Sequence, residues 1–242
     1  MKIIILCAGI SSRTKLGYPK CLYKFKDGEM LIEKNINKLK EFGFKNKDFI
    51  FATGFKSKEV KNKTKNLYTY VKNIKFKTTN MVYSLNRVIK DIKLVDILIL
   101  YSDILFEKKC LYKIIRDKRN VSTVIDLDWK KKWFKKRNYL DDLEELKIEK
   151  SKIKFLGKKA FSIKGIDGRF IGITKFSKNY LKFLRKKKII KKLLKENKKI
   201  DFTNFLMSLI NLKQDINVIK GKFDWIEFDT QEDFNVYETD LK

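Results

Sequence analysis

Short, unbroken apolar runs alternate with amphipathic stretches through the first half of the chain. Residues 3–6 (Ile-Ile-Ile-Leu) have the pattern of a strand buried on both faces of a mostly parallel sheet. Leu31, Ile32, Ile36, Leu39 and Phe42 then recur at helical spacing, and Gly43 stands where such a helix would be capped. The pattern predicts a second strand over residues 48–53, a short polar helix over 58–65 and a third strand over 69–71. Thr79 or Asn80 can cap a helix carrying Met81, Val82 and Leu85. Residues 95–100 make the clearest strand of all and run directly into Ser102-Asp103, and residues 121–126 predict another. Such alternation implies parallel strands joined by right-handed crossovers, hence an α/β fold.

Beyond residue 126 the pattern loosens. Residues 128–142 are polar and irregular, while 143–157 alternate weakly, as a β-ribbon would, with Ile148, Ile153 and Phe155 as its packed face. Gly165, Gly168 and Gly172 flank Arg169-Phe170-Ile171, which reads as a strand passing close to other backbone. Residues 176–211 predict helices, 216–219 and 225–230 two last apolar runs, and Glu232-Asp233 the start of a final helix. No repeat or linker interrupts this. The expectation is one domain over 1–242 with an insertion at about 127–200.

Composition narrows the chemistry. With 43% hydrophobic residues the chain can build a substantial core. A formal charge of +29 invites a nucleic-acid reading, but 51 of the 58 basic residues are lysines spread over the whole length. A basic nucleic-acid-binding module would need clustered arginines, and there are only seven. Histidine is absent, which excludes His general bases, His–metal sites and Ser-His-Asp triads. Three cysteines without metal-ligand spacing point to a reduced, cytoplasmic compartment. No apolar run is long enough to span a bilayer, and the first residues lack a signal-peptide pattern.

The most informative stretch follows the first strand. Ala8, Gly9, Ser11 and Ser12 are small, so backbone N–H groups there can approach an anion, and Arg13 lies just beyond. Pro19, the only proline, fixes the backbone immediately before Lys20. Asp103 emerges at the carboxyl end of the clearest strand, where open α/β sheets bind ligands, and a carboxylate there suits a hard cation such as Mg²⁺.

The Ala8-Gly9 to Arg13 segment with Pro19-Lys20 resembles the signature of nucleotidyltransferases with a Rossmann-like catalytic domain. Glycine often stands in that family where this chain has Ser11, which implies a stiffer loop. Asp126-x-Asp128-Trp129-x-x-x-Trp133 and Trp225-x-Glu227-x-Asp229-Thr230-x-Glu232-Asp233 sharpen the likeness. With residues 79–85 and 101–104 they are similar to cytidylyltransferases of the phosphocholine and phosphonate kind, over nearly the whole chain. The resemblance implies a three-layer Rossmann-like fold with CTP in the N-terminal loop. It also implies one Mg²⁺ held by Asp103 and Asp229, with Asn80 and Ser84 near the nucleotide base. The acceptor would be a small phosphorylated or phosphonylated zwitterion, bound in the 127–200 insertion, and pyrophosphate would leave. Lys20 and Arg13 would then stabilise charge on the phosphates. Trp129 and Trp133, with Asp126 and Asp128, either hold a cationic head group by cation–π and charge contacts or belong to the core. The resemblance favours Glu144 as a further head-group contact. A sugar-1-phosphate nucleotidyltransferase is the alternative on the same fold.

Overall fold

The computed structural model describes residues 1–133 and 143–240, with side chains except at residues 132, 133 and 240. In chain order the elements are β1 (Lys2–Cys7), α1 (Leu31–Glu41), β2 (Phe49–Thr53), α2 (Ser57–Lys63), β3 (Thr69–Lys72), α3 (Met81–Ile89) and β4 (Ile97–Tyr101). Then come β5 (Ile104–Phe106), α4 (Lys108–Arg116), β6 (Val121–Asp126), α5 (Trp129–Trp133), β7 (Glu144–Glu149), β8 (Lys152–Lys159) and β9 (Arg169–Phe176). The chain closes with α6 (Lys178–Lys186), α7 (Ile189–Glu196), α8 (Phe202–Asn211), β10 (Asn217–Gly221), β11 (Trp225–Glu227) and α9 (Gln231–Asp240).

Nine strands form the central sheet in the order β3-β2-β1-β4-β9-β6-β10-β8-β7. Its first four strands are parallel, as the unbroken apolar runs imply, and β1 and β4 are almost wholly buried. β9 runs antiparallel between β4 and β6, so it forms the middle of the sheet rather than part of an insertion. The stretch expected as an insertion, about 127–200, therefore contributes a central strand as well as the β7–β8 ribbon. That ribbon extends the sheet through a contact of Lys152 in β8 with Asn217 in β10. Register shifts along the ribbon turn its packed face to Leu146, Ile153 and Leu156, leaving Ile148 and Phe155 only half-buried.

Pairing of β1 with β4 sets Leu6 beside Tyr101, so the loops after both strands leave the sheet side by side. Gly172, at φ 78°, occupies a conformation that favours glycine, and a Cβ there would lie 2.7 Å from the Tyr101 ring. The Tyr101 ring can therefore lie across β9.

A second, two-stranded sheet decides where the end of the chain goes. β5 and β11 pair antiparallel with Ile104 opposite Glu227, and the Phe228 N–H donates to the Asp103 carbonyl at 2.8 Å. A small apolar cluster of Phe25, Leu31, Leu105, Phe228 and Phe234 clamps this ribbon. Phe234 stacks on Phe228 at 4.4 Å and on Tyr23 at 3.9 Å between ring centroids. The Asp233 carboxylate accepts from the N–H groups of Asp229 and Thr230, both at 2.8 Å, and so caps α9. Replacing Phe234 with Ala should lower unfolding free energy in urea by about 3 kcal/mol, the usual scale for a buried aromatic. It should also loosen Asp229, seen as faster hydrogen exchange at residues 228–233.

Candidate active site

The loop after β1 is closed by its own side chains. Ser11 sits at φ 61°, a left-handed conformation that costs a serine about 1 kcal/mol relative to ordinary backbone. Its hydroxyl accepts the Lys20 N–H at 3.1 Å, and its carbonyl accepts from the Thr14 N–H and hydroxyl. These contacts tie the two ends of the loop together, with Pro19 at φ −59° leading into a 3₁₀ turn at Lys20–Leu22. Arg13 and Lys20 are thereby aimed at one point.

That point is a pair of carboxylates brought in by the β5–β11 pairing. The Lys20 Nζ lies 2.5 Å from Asp103 Oδ2 and 3.3 Å from Asp229 Oδ1, and Arg13 Nη2 lies 2.8 Å from the same Asp229 oxygen. Burial by itself would lower the Lys20 pKa, but Asp103 first, then Asp229, outweigh it and hold the ammonium above its ordinary value. Lys20 is charged throughout the physiological range and cannot act as a base. Its side chain is 13% exposed, whereas that of Arg13 is 53% exposed and faces an open cleft.

A cavity of about 340 Å³ extends from this cluster. Its charged end holds Ser11, Ser12, Arg13, Lys20, Asp103 and Asp229, with Ala8 and Gly9 alongside. Its lining also includes Asn73, Phe76, Thr79, Asn80, Met81 and Ser84, carried by the loop after β3 and the start of α3. Asn80 caps α3 by accepting the Met81 N–H at 2.8 Å. The structure thus brings Ala8, Gly9, Ser11, Ser12, Arg13 and Lys20 to one cavity with Asn80, Ser84, Asp103 and Asp229. Asn73, Phe76 and Tyr101 line the same cavity without having been singled out, because nothing local in the sequence sets them apart.

A second cavity of about 290 Å³ adjoins the first and shares Arg13, Met81, Tyr101 and Asp229 with it. It carries both signs of charge: Glu144, Asp201 and Glu227 on one hand, Lys159 and Arg169 on the other. The Thr203 hydroxyl lies 3.1 Å from Glu144 Oε1 and 3.2 Å from Asp201 Oδ1, and Arg169 Nη2 lies 3.9 Å from Glu227 Oε2. Burial, then Glu144 and Glu227, push the Tyr101 phenol well above its ordinary pKa, so it stays neutral between the two cavities.

Glu144, expected as a head-group contact, lines the second cavity, whereas Asp126, Asp128 and Trp129 line neither cavity. Asp126 is 0% exposed and accepts from Trp225 Nε1 at 2.9 Å, the Phe223 N–H at 3.0 Å and the Asp128 N–H at 3.2 Å. Trp129 is buried in the core and Asp128 pairs with Lys131 at 3.6 Å. The buried Trp225 indole N–H needs an acceptor, and that need accounts for the buried carboxylate of Asp126. The Trp133 side chain lies outside the described residues. Asp126→Ala should cost about 3 kcal/mol in urea unfolding by stranding two buried N–H donors. Ligand affinity of the folded protein should stay unchanged, as titration calorimetry would show.

Three comparisons bear on this geometry. Residues 3–161 match the MobA-like NTP transferase domain. The CTP:phosphoglutamine cytidylyltransferase of Campylobacter jejuni is 31% identical, over 98% of this chain and 98% of that protein. Among solved structures, the inositol-1-phosphate CTP transferase of T. maritima superposes with a TM-score of 0.74 at 18% identity, covering 96% of this chain and 90% of that one. The CTP:phosphocholine cytidylyltransferase of Streptococcus pneumoniae superposes with a TM-score of 0.70 at 21% identity, covering 100% and 99%. A strand-end carboxylate pair, a small-residue loop with Arg13 and Lys20, and this agreement along the chain lead to one conclusion: the protein is a nucleotidyltransferase and belongs to the MobA-like NTP transferase family.

Proposed function

We propose that this protein is a CTP-dependent cytidylyltransferase that transfers CMP to the phosphate or phosphonate of a small zwitterion and releases pyrophosphate. The observation that carries the reading is the meeting of two cavities at Arg13, Tyr101 and Asp229. One is built for a nucleoside triphosphate, and the other for a compact ligand of mixed charge. Three of the similar proteins use CTP, with phosphoglutamine, phosphocholine and inositol 1-phosphate as their acceptors.

In the reaction an acceptor phosphate oxygen attacks the α-phosphorus of CTP, a new P–O–P linkage forms, and the bond to the β-phosphate breaks. The attacking oxygen is already ionised, so no side chain has to remove a proton, which suits a chain without histidine. Lys20, held as an ammonium, meets the charge that rises on the α-phosphate oxygens, while Arg13 reaches from the rim to the β- and γ-phosphates. Asp103 and Asp229 are hard oxygen donors that meet at Lys20, and they would hold a Mg²⁺ carried by the triphosphate. When bound there, Mg²⁺ would neutralise phosphate charge at the reacting centre.

The second cavity favours one acceptor class. Glu144, Asp201 and Glu227 suit an ammonium group, while Arg169 and Lys159 suit a carboxylate. A phosphorylated amino acid carries both, phosphocholine and aminoethylphosphonate carry only the cation, and a sugar phosphate carries neither. A pyrophosphate-release screen with Mg²⁺, four nucleoside triphosphates and acceptors of all these kinds tests the reading. The expected best pair is CTP with a phosphorylated amino acid, and a preference for phosphocholine or a sugar 1-phosphate would refute the acceptor assignment.

With that pair, Lys20→Ala should lower kcat by about 100-fold, the scale of losing one preorganised donor. Arg13→Ala should raise the KM for CTP at least as much as it lowers kcat. Steady-state kinetics with CTP varied would separate the two, and a Lys20→Ala effect confined to KM would make the lysine a binding residue only.

A further inference from the structure

The wall of the nucleotide cavity formed by the loop after β3 and the start of α3 contains a hydrogen-bond chain whose direction is set by the backbone. Asn73, buried just after β3, accepts the Lys75 N–H through Oδ1 at 2.9 Å. A backbone N–H can only donate, so this contact decides which end of the amide is oxygen and turns the NH₂ the other way. The Nδ2 group then donates to Thr79 Oγ1 and to Ser84 Oγ, both at 3.0 Å. Thr79 commits its own hydrogen to the Lys75 carbonyl at 2.7 Å. Ser84 is 1% exposed, lines the cavity and accepts from Asn73. Its hydroxyl hydrogen has no protein acceptor among the described residues.

We propose that Asn73 selects the nucleotide base by fixing the polarity of Ser84: the Ser84 hydroxyl is held as a donor and reads a base that offers a lone pair at N3. Cytosine offers one; uracil presents an N–H at the same position, so donor would face donor. The loss is large because a buried hydroxyl left without its partner is costly, which is how polar pockets reject near-isosteric ligands. A triphosphate held by Arg13 and Lys20 leaves its base to the remainder of the same cavity, which Phe76 and Ser84 also line. Asn73 acts through Ser84 and is a positioning residue. The inference rests on the proposed use of CTP.

Titration calorimetry of the full chain with CTP and with UTP, in Mg²⁺ and without acceptor, tests it. The wild-type protein should bind CTP at least about tenfold more tightly than UTP, the scale of one buried donor left unmatched. In Asn73→Asp a carboxylate takes the Ser84 hydrogen, so Ser84 presents lone pairs to the base. The CTP-to-UTP affinity ratio should then fall by about tenfold or more. Ser84→Ala, which introduces no charge and keeps the test open should the aspartate variant fail to fold, removes both the bond to cytosine and the opposition to uracil, so it should lower the CTP-to-UTP affinity ratio as well. Wild-type protein without a preference for CTP would overturn the proposed nucleotide. A wild-type preference that survives both substitutions would overturn the Asn73–Ser84 relay alone.

Discussion

The short antiparallel pairing of β5 with β11 is the constraint on which the candidate active site depends. Three residue pairs and the Phe228 N–H to Asp103 carbonyl bond bring Asp229 to Asp103 from more than a hundred residues away. So short a ribbon is marginal on its own. It persists because Phe228 and Phe234 are buried against Tyr23, Phe25, Leu31 and Leu105, elements that flank the loop carrying Lys20. The same apolar cluster therefore sets the position of the carboxylates and of the lysine that bridges them.

Charge in this protein is organised against its own average. The chain carries +29, yet Asp103, Asp229, Glu144, Asp201 and Glu227 gather around two adjoining cavities. Low exposure strengthens these fields relative to the surface lysines, which solvent and salt screen. The outcome of that balance is visible at Lys20, where two carboxylates overcome the cost of burial and keep the ammonium charged. It is visible again at Tyr101, which burial first, then Glu144 and Glu227, keep neutral.

The two cavities differ in how they are built. The cavity at Arg13 and Lys20 draws on the parallel half of the sheet: loops after β1, β3 and β4 emerge together because their strands are in register. The second cavity draws on β7, β8, β9 and α8, the part of the chain with the weakest periodicity. β9 joins the two, and Gly172 lets Tyr101 lie across it at their boundary.

The sequence by itself determined the elements and the phosphate-side loop. Strand and helix periodicities are local, so β1 to β4, α1 and α3 were legible, as was the small-residue loop ending at Arg13 and Lys20. Tertiary structure decided what depends on register and on partners distant along the chain. The central placement of β9, the bulged face of the β7–β8 ribbon and the convergence of Asp103 with Asp229 are of this kind. So is the fate of the acidic-aromatic stretch at Asp126 to Trp129: its composition fits a cation-binding box, but the Trp225 indole N–H, 99 residues away, claims the Asp126 carboxylate. A buried polar group must find a partner wherever the fold supplies one, and the sequence does not say which residue that will be.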